Sequence, residues 1–290
     1  MKKFLIVILA LTMLLAGCKN EEKTPSYPVE SFDMTFASRP SKVLCLNKGA
    51  EEALKVLGYG HSLLDNDEIF EDKNYPQKEE VIKASPDFVI VSKGTRESIK
   101  NALSEKGISY ITYERYDNED ELLDFLNQLI LIFEGNNDAP LRQEQLTFFF
   151  NETSSVLEDA AYEILEEKFE NAPTFLFVTG ENFAYTGDTM EGRFFEDLGF
   201  VNLASDRENY YVPFNTLPSS PDILIYPDSM ENLPARLNSY LDISYDGERS
   251  SYQSPSLFSL RHHILEVLND GSISLEGCFM PLPEAPSEEK

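Results

Sequence analysis

Short apolar runs alternate with amphipathic stretches along most of the chain. Val43-Leu44-Cys45-Leu46 is the first run, and Asn47-Lys48-Gly49 follows as a turn. Ala50, Leu54 and Leu57 then recur at i, i+4 and i+7, the spacing of a helix face, until Gly58 stops the pattern as a C-terminal cap glycine does. A short helix over 79–84, a break at Ser85-Pro86-Asp87 and a buried strand at Phe88-Val89-Ile90-Val91 come next. A helix over 96–106 ends at Gly107, and Tyr110-Ile111-Thr112-Tyr113 reads as another strand. Strands alternating with helices predict a parallel sheet covered on both faces.

The middle of the chain breaks this rhythm. Residues 119–133 read as one helix, with Leu122, Phe125, Leu126 and Leu129 on one side. After Gly135-Asn136-Asn137, a helical pattern runs from about 139 to 169 with no glycine or proline after Pro140. Some 30 residues of helix span roughly 45 Å, longer than one small lobe needs. Alternation then resumes with strands at 174–178 and 222–226, a helix at 194–198 stopped by Gly199, and a last helix from Ser254-Pro255 to about 269. Leu57-Gly58-Tyr59 is echoed by Leu198-Gly199-Phe200, and Ser85-Pro86-Asp87 plus strand by Ser220-Pro221-Asp222 plus strand. The expected fold class is α/β: two similar lobes with mainly parallel sheets joined by one long backbone helix.

Charge narrows the function. Lys and Arg number 24 against 51 Asp and Glu, a formal charge of −27. Phosphate backbones repel such a surface, so nucleic-acid binding is excluded, and self-repulsion favours a monomer. Lys2 and Lys3 precede an apolar run, Phe4 to Ala16, that is too short to span a bilayer and has signal-peptide dimensions. It ends in Leu14-Leu15-Ala16-Gly17-Cys18, which looks like a lipobox; Cys18 would then carry the lipid that holds the protein outside the cell membrane. An uncleaved signal anchor is the alternative. Cys45 lies in an apolar strand and is expected to be a buried thiol, with a Cys45–Cys278 bridge as the other reading. The expected layout is a signal peptide over 1–17, a tether over 18–38, an N-terminal lobe over 39–137, a connecting helix over 138–170, a C-terminal lobe over 171–270 and a tail over 271–290.

Open α/β sheets bind ligands beyond the C-terminal ends of their strands, so two facing lobes create a cleft. The loops there bring Lys48, Lys93, Arg96, Tyr113, Arg115 and Tyr116 from the first lobe. Tyr185, Arg207, Tyr210, Tyr211 and Arg249 come from the second. Guanidinium pairs with carboxylate or catecholate oxygens and tyrosine stacks, so the set suits an anionic or planar ligand. No catalytic residue is assigned: nucleophile elbows, phosphate loops, His-Glu-x-x-His and Cys-x-x-Cys are all missing from the sequence. Nor is a resident metal or cofactor expected, because no two histidines share ligand spacing with a carboxylate. His61, after the Gly58-Tyr59-Gly60 turn, is a weak candidate for the cleft rim.

At this point the chain resembles the substrate-binding lipoproteins of iron-siderophore, haem and corrinoid ABC importers, the type with one helical backbone between lobes. The likeness rests on Arg39-Pro40-Ser41-Lys42-Val43-Leu44, on Ala50-Glu51-Glu52-Ala53-Leu54-Lys55-Val56-Leu57-Gly58, on 79–92 and on Tyr185-Thr186-Gly187. It implies capture of a ferric siderophore first, haem second and a corrinoid third, with delivery to an ABC permease. It also implies that Glu79 docks the permease through a basic partner. The matching place in the second half holds Phe214 or Asn215, which opens the alternative of a surface paralogue or adhesin that kept the fold without transport.

Overall fold

The computed structural model describes residues 26–65, 76–114, 116, 118–179, 183–205, 210–213, 216–217, 220–227, 230, 239, 241–245 and 263–269. Two separate parallel sheets form the lobes. In the first, β3 (Val43–Cys45), β4 (Phe88–Ser92) and β5 (Ser109–Tyr113) lie in that order. In the second, β11 (Leu241–Tyr245), β10 (Ile223–Pro227), β6 (Thr174–Phe177) and β8 (Val201–Asn202) lie side by side. Every pairing within these two sheets is parallel.

Burial follows the two-residue period of a sheet covered on both faces. In lobe one, Leu44, Val89 and Val91 pack with Val81, Ile99 and Leu103 of α2 (Lys78–Lys83) and α3 (Glu97–Glu105). Val43, Cys45, Phe88 and Ile90 face the other way, onto α1 (Lys48–Val56) and the central helix. Lobe two repeats the scheme: Leu176, Val178 and Leu224 face outward with Val212 and Leu217. Phe175, Phe177, Ile223 and Ile225 join the cluster that runs through the central helix.

That central helix, α4 (Glu119–Lys168), is interrupted at Gly135, whose φ of 73° and ψ of 177° are not helical. Contacts across it show what the interruption does. Gln143 donates to the Asn127 carbonyl at 2.8 Å, and Ser154 donates to Glu119 at 3.1 Å. Partners therefore separate symmetrically about residue 135, and the two arms, 119–134 and 136–168, form an antiparallel helical hairpin. The second arm outruns the first by some seventeen residues, roughly 26 Å, and that overhang is the strut into lobe two. The connecting helix expected over 138–170 thus begins at 136 and ends at 168. A Cβ on Gly135 would lie 2.7 Å from the Ser26 carbonyl oxygen, so the turn needs glycine for its close approach as well as its positive φ.

Residues expected within the 18–38 tether contribute structure. β1 (Val29–Ser31) and β2 (Met34–Phe36) form an antiparallel hairpin, and the preceding segment laces along the first arm. Tyr27 donates to the Ile132 carbonyl at 2.7 Å, Ser31 to that of Gln128 at 3.3 Å, and the Asn136 amide to Ser26 at 2.8 Å. Val29 and Phe36 were not legible as strand residues because each run is three residues long. The lipobox and Cys18, together with residues 271–290 and Cys278, lie outside the described residues. Cys45 is buried, and burial pushes its thiol above the ordinary range. No helix among the described residues is long and apolar enough to cross a membrane.

The two echoes seen in the sequence are structural. Gly58 and Gly199 both have φ of 90°. The Tyr59 amide reaches the Leu54 carbonyl at 2.8 Å, and the Phe200 amide reaches that of Phe195 at 3.2 Å. Both turns close as Schellman caps. Asp87 accepts from the amides of Ser41 and Lys42 at 2.9 and 3.0 Å. Asp222 accepts from the amide and hydroxyl of Thr174, each at 2.8 Å. In each lobe the aspartate before one central strand ties down the start of its neighbour.

Candidate functional site: facing strand ends

In lobe one the strand tips are laced together. Asn47 caps α1 by accepting from the Ala50 amide at 3.1 Å, and its amide nitrogen donates to Ser92 Oγ at 3.2 Å. Ser92 donates in turn to the Leu46 carbonyl at 3.0 Å. The loops after β3 and β4 are therefore neighbours, which places the exposed Lys48 and Lys93 on one edge. Arg96, also exposed, precedes α3, so the N-termini of α1 and α3 lie at the same edge. Helix N-termini and cationic side chains together make an edge that attracts anions. Lys93 meets Glu114 at 3.4 Å, an exposed pair of small energetic consequence.

The aromatic candidates are placed differently. Tyr113 is buried at the end of β5, edge-on to Tyr116 at 5.5 Å and to Phe125 at 5.1 Å. Burial raises its hydroxyl pKa above the phenol range, and Glu191 of lobe two and Glu52 of lobe one push the same way. Glu191 is buried in α5 (Met190–Glu196). Tyr116 lines a cavity of about 540 Å³ beside the first arm, with Phe32, Asp120 and Asp124.

In lobe two, β7 (Phe183–Tyr185) and β9 (Tyr211–Pro213) form an antiparallel ribbon that pairs Tyr185 with Tyr211. Tyr185 is buried against Phe177 at 4.9 Å and Tyr211 at 5.3 Å, while Tyr210 and Tyr211 are exposed. The Tyr185-Thr186-Gly187 stretch leads into α5 through tight packing. Thr189 caps α5 by accepting from the Gly192 amide at 2.9 Å and donates to the Thr186 carbonyl at 2.7 Å. A Cβ on Gly192 would collide with that carbonyl.

Between the lobes, along the strut, lies a cavity of about 380 Å³. Asn118 and Leu123 open it on the lobe-one side, Phe150 and Ser154 form its floor, and Met190 and Arg193 of α5 close it from lobe two. None of the described candidate ligand residues lines it. Its carboxylates, Glu119, Asp120, Glu158 and Asp197, outnumber its one guanidinium, so its walls favour neutral or cationic groups. Sequence reasoning missed these residues because most come from the faces and ends of helices and not from loops after strands. Arg115, Arg207 and Arg249 lie outside the described residues.

One candidate is relocated. His61 is at the far edge of its lobe: α1 carries the chain back from the strand tips, and the Leu64 amide bonds to the Val43 carbonyl at the start of β3. Its ring nitrogens meet Arg39 at 3.2 Å and the Gly58 carbonyl at 3.2 Å, so it does not reach the cleft rim. Glu79 is exposed in the first turn of α2, beside Lys78 at 3.7 Å. Among the described residues no group of three His, Cys, Asp or Glu could hold a metal ion.

No family model and no curated protein matches the chain. Solved structures do. A possible iron-binding, periplasmic solute-binding protein from Staphylococcus epidermidis aligns with a TM-score of 0.54 at 17% identity, covering 79% of this chain and 98% of that one. The periplasmic heme-binding protein RhuT from Roseiflexus sp. RS-1 gives 0.58 at 16%, covering 80% and 98%. The periplasmic vitamin B12 binding protein BtuF of Vibrio cholerae gives 0.57 at 14%, covering 79% and 96%. The chain has the helical-backbone binding-protein fold. At these identities the likeness is one of fold.

Proposed function

We propose that the protein is an extracytoplasmic solute-binding lipoprotein of an ABC importer, anchored through Cys18, that captures an iron complex between its lobes and delivers it to a permease. The observation that carries this reading is the pairing of two similar parallel-sheet lobes on a single helical strut, with Leu123 of the first arm and Met190 and Arg193 of α5 lining one cavity between them. A strut of this kind limits closure to a small hinge motion, which suits capture of a rigid ligand. The likeness to iron-, haem- and vitamin B12-binding proteins supports the same ligand range.

A ferric siderophore is the first ligand, haem the second. Anionic oxygens would meet Lys48, Lys93 and Arg96 at the cationic edge, and a planar face would meet Tyr210 and Tyr211 across the gap. A corrinoid is the second reading, favoured by the fold likeness to a vitamin B12 binding protein. Glu79, exposed at the start of α2, is the proposed contact to the permease. A transport-inactive surface paralogue with the same fold is the competing outcome. The test is a thermal-shift screen of the protein against ferric siderophores, haem and cobalamin. At one hundred times the dissociation constant, the true ligand stabilises the fold by about 2.7 kcal/mol. A melting temperature unmoved by all three classes overturns the transport reading. With the ligand in hand, replacing Lys48 and Lys93 by Met is expected to weaken it at least tenfold.

A further inference from the structure

The second arm of α4 buries one face against both lobes and turns the other to solvent. On that outer face stand Leu141, Phe148 and Tyr162, exposed at 64, 58 and 66%, the three most exposed large apolar side chains among the described residues. They are spaced by seven and fourteen residues, with Ser155 in the intervening position. A helix turns 700° in seven residues, so they form one stripe about 31 Å long that drifts by roughly 20° per heptad. Isolated exposed apolar residues need no explanation. Three aligned along one helix face make an apolar ridge beside which a second helix can pack.

The charge around this stripe names the partner. Between Gln143 and Glu167 the arm has seven acidic residues and no lysine or arginine. Glu152, Asp159 and Glu166 fall within roughly 20° of the Leu141 direction, so carboxylates interleave with the apolar residues on one face. At its lobe-two end the stripe runs into a cavity of about 560 Å³, where Tyr162, Leu165, Phe169 and Leu198 provide apolar walls and Glu158 and Glu166 stand among its acids. An aliphatic stem ending in a cation fits such a place, through burial of the stem, pairing with carboxylates and contact with the tyrosine ring. A second copy of this strongly acidic chain and an anionic lipid surface are both repelled.

We propose that the outer face of the strut is a docking site for a cationic amphipathic helix of a partner protein, with a lysine or arginine of that helix seated in the cavity beside Tyr162. The site shares Glu158 and Asp197 with the inter-lobe cavity but none of the strand-tip candidates, and it does not depend on the ligand reading. The probe is a fluorescein-labelled 24-residue helical peptide of leucine and lysine in heptad register, with a glutamate-for-lysine peptide as control. Anisotropy on the full chain at physiological salt is expected to show binding of the cationic peptide and none of the acidic one. Phe148→Ser with Tyr162→Ser leaves the net charge unchanged and is expected to weaken binding at least tenfold, while Val267→Ser, exposed elsewhere, leaves it unchanged. A benzophenone on the peptide is expected to attach within residues 141–170. Equal affinity for wild type and the double variant overturns the proposal, because it reports diffuse attraction to the acidic surface. So does finding that the double variant abolishes self-association, or binding to phosphatidylglycerol vesicles, in place of peptide binding.

Discussion

The two lobes are one plan executed twice, with different chemistry at corresponding places. The order β3, β4, β5 in lobe one matches β6, β10, β11 in lobe two, and β8 matches the single bridge between Leu63 and Val43. Lobe one passes from strand tip to helix through only Leu46 and Asn47, which brings two helix ends and exposed cations to its edge. Lobe two inserts β7 before α5 and pairs it with β9, which follows β8, and this ribbon sets tyrosines there instead. Below the Schellman turns the contrast is of another kind. Tyr59 is stacked on Phe133 at 4.4 Å and donates to Glu134 at 3.0 Å, and Arg142 donates to the Leu57 carbonyl at 3.3 Å. Phe200 sits in an apolar ring cluster with Phe175 and Phe195. A shared turn therefore does not dictate what it anchors. Lobe one meets the helical hairpin and its buried charges, so it needs a hydroxyl, and lobe two meets phenyl rings.

The sharpest way to break this comparison is at those two anchors. Phe200→Ala leaves a cavity and is expected to cost about 3–5 kcal/mol in urea unfolding. Tyr59→Phe keeps the ring but strips a donor from the Glu134 carboxylate, with an expected cost of about 1–3 kcal/mol. A negligible cost would mean the polar network is not what holds lobe one to the hairpin. The glycines come next. Gly58→Ala and Gly199→Ala each force a side chain into the left-handed region and are expected to cost about 1–2 kcal/mol apiece, equally. A large difference between them would show that the echo is only superficial.

The last effect is absent at neutral pH and grows with alkali. Tyr27, Tyr59, Tyr113 and Tyr116, all in lobe one or its flanking segment, have raised hydroxyl pKa values, mainly through burial; Tyr27 is pushed up to about 12. Unfolded tyrosines ionise near 10, so above that pH the unfolded chain releases protons that the folded one keeps. The associated stability is whole below pH 10 and falls as pH rises through 10 toward 12 and beyond. Hydrogen exchange followed between pH 9 and 11, corrected for its intrinsic pH dependence, is expected to show lobe-one strands losing protection before those of lobe two. Loss in parallel would contradict the assignment.

Much of this was legible in residue order. β-Strand runs such as Phe88-Val89-Ile90-Val91 read as buried because a parallel sheet covered on both faces leaves no polar alternation. The Gly58 and Gly199 stops and the Ser-Pro-Asp echoes were readable because backbone sign and turn chemistry are local. The candidate site was legible only in part: Lys48, Lys93 and Arg96 do share an edge, but Tyr113 and Tyr185 are packed as core. Loop position tells which residues lie near strand tips and says nothing about which way a side chain turns.

The sequence by itself determined two α/β halves, their shared turns and a long helix, since each follows from periodicity over a few residues. Tertiary structure alone decided that the helix folds back at Gly135, that residues 26–36 lace along its first arm, and that helices and not loops after strands line most of the gap by the strut. Those outcomes depend on contacts between residues about 100 positions apart, such as Ser26 with Asn136 and Tyr27 with Ile132. No local pattern encodes such a contact, because its energy exists only once both segments are in place.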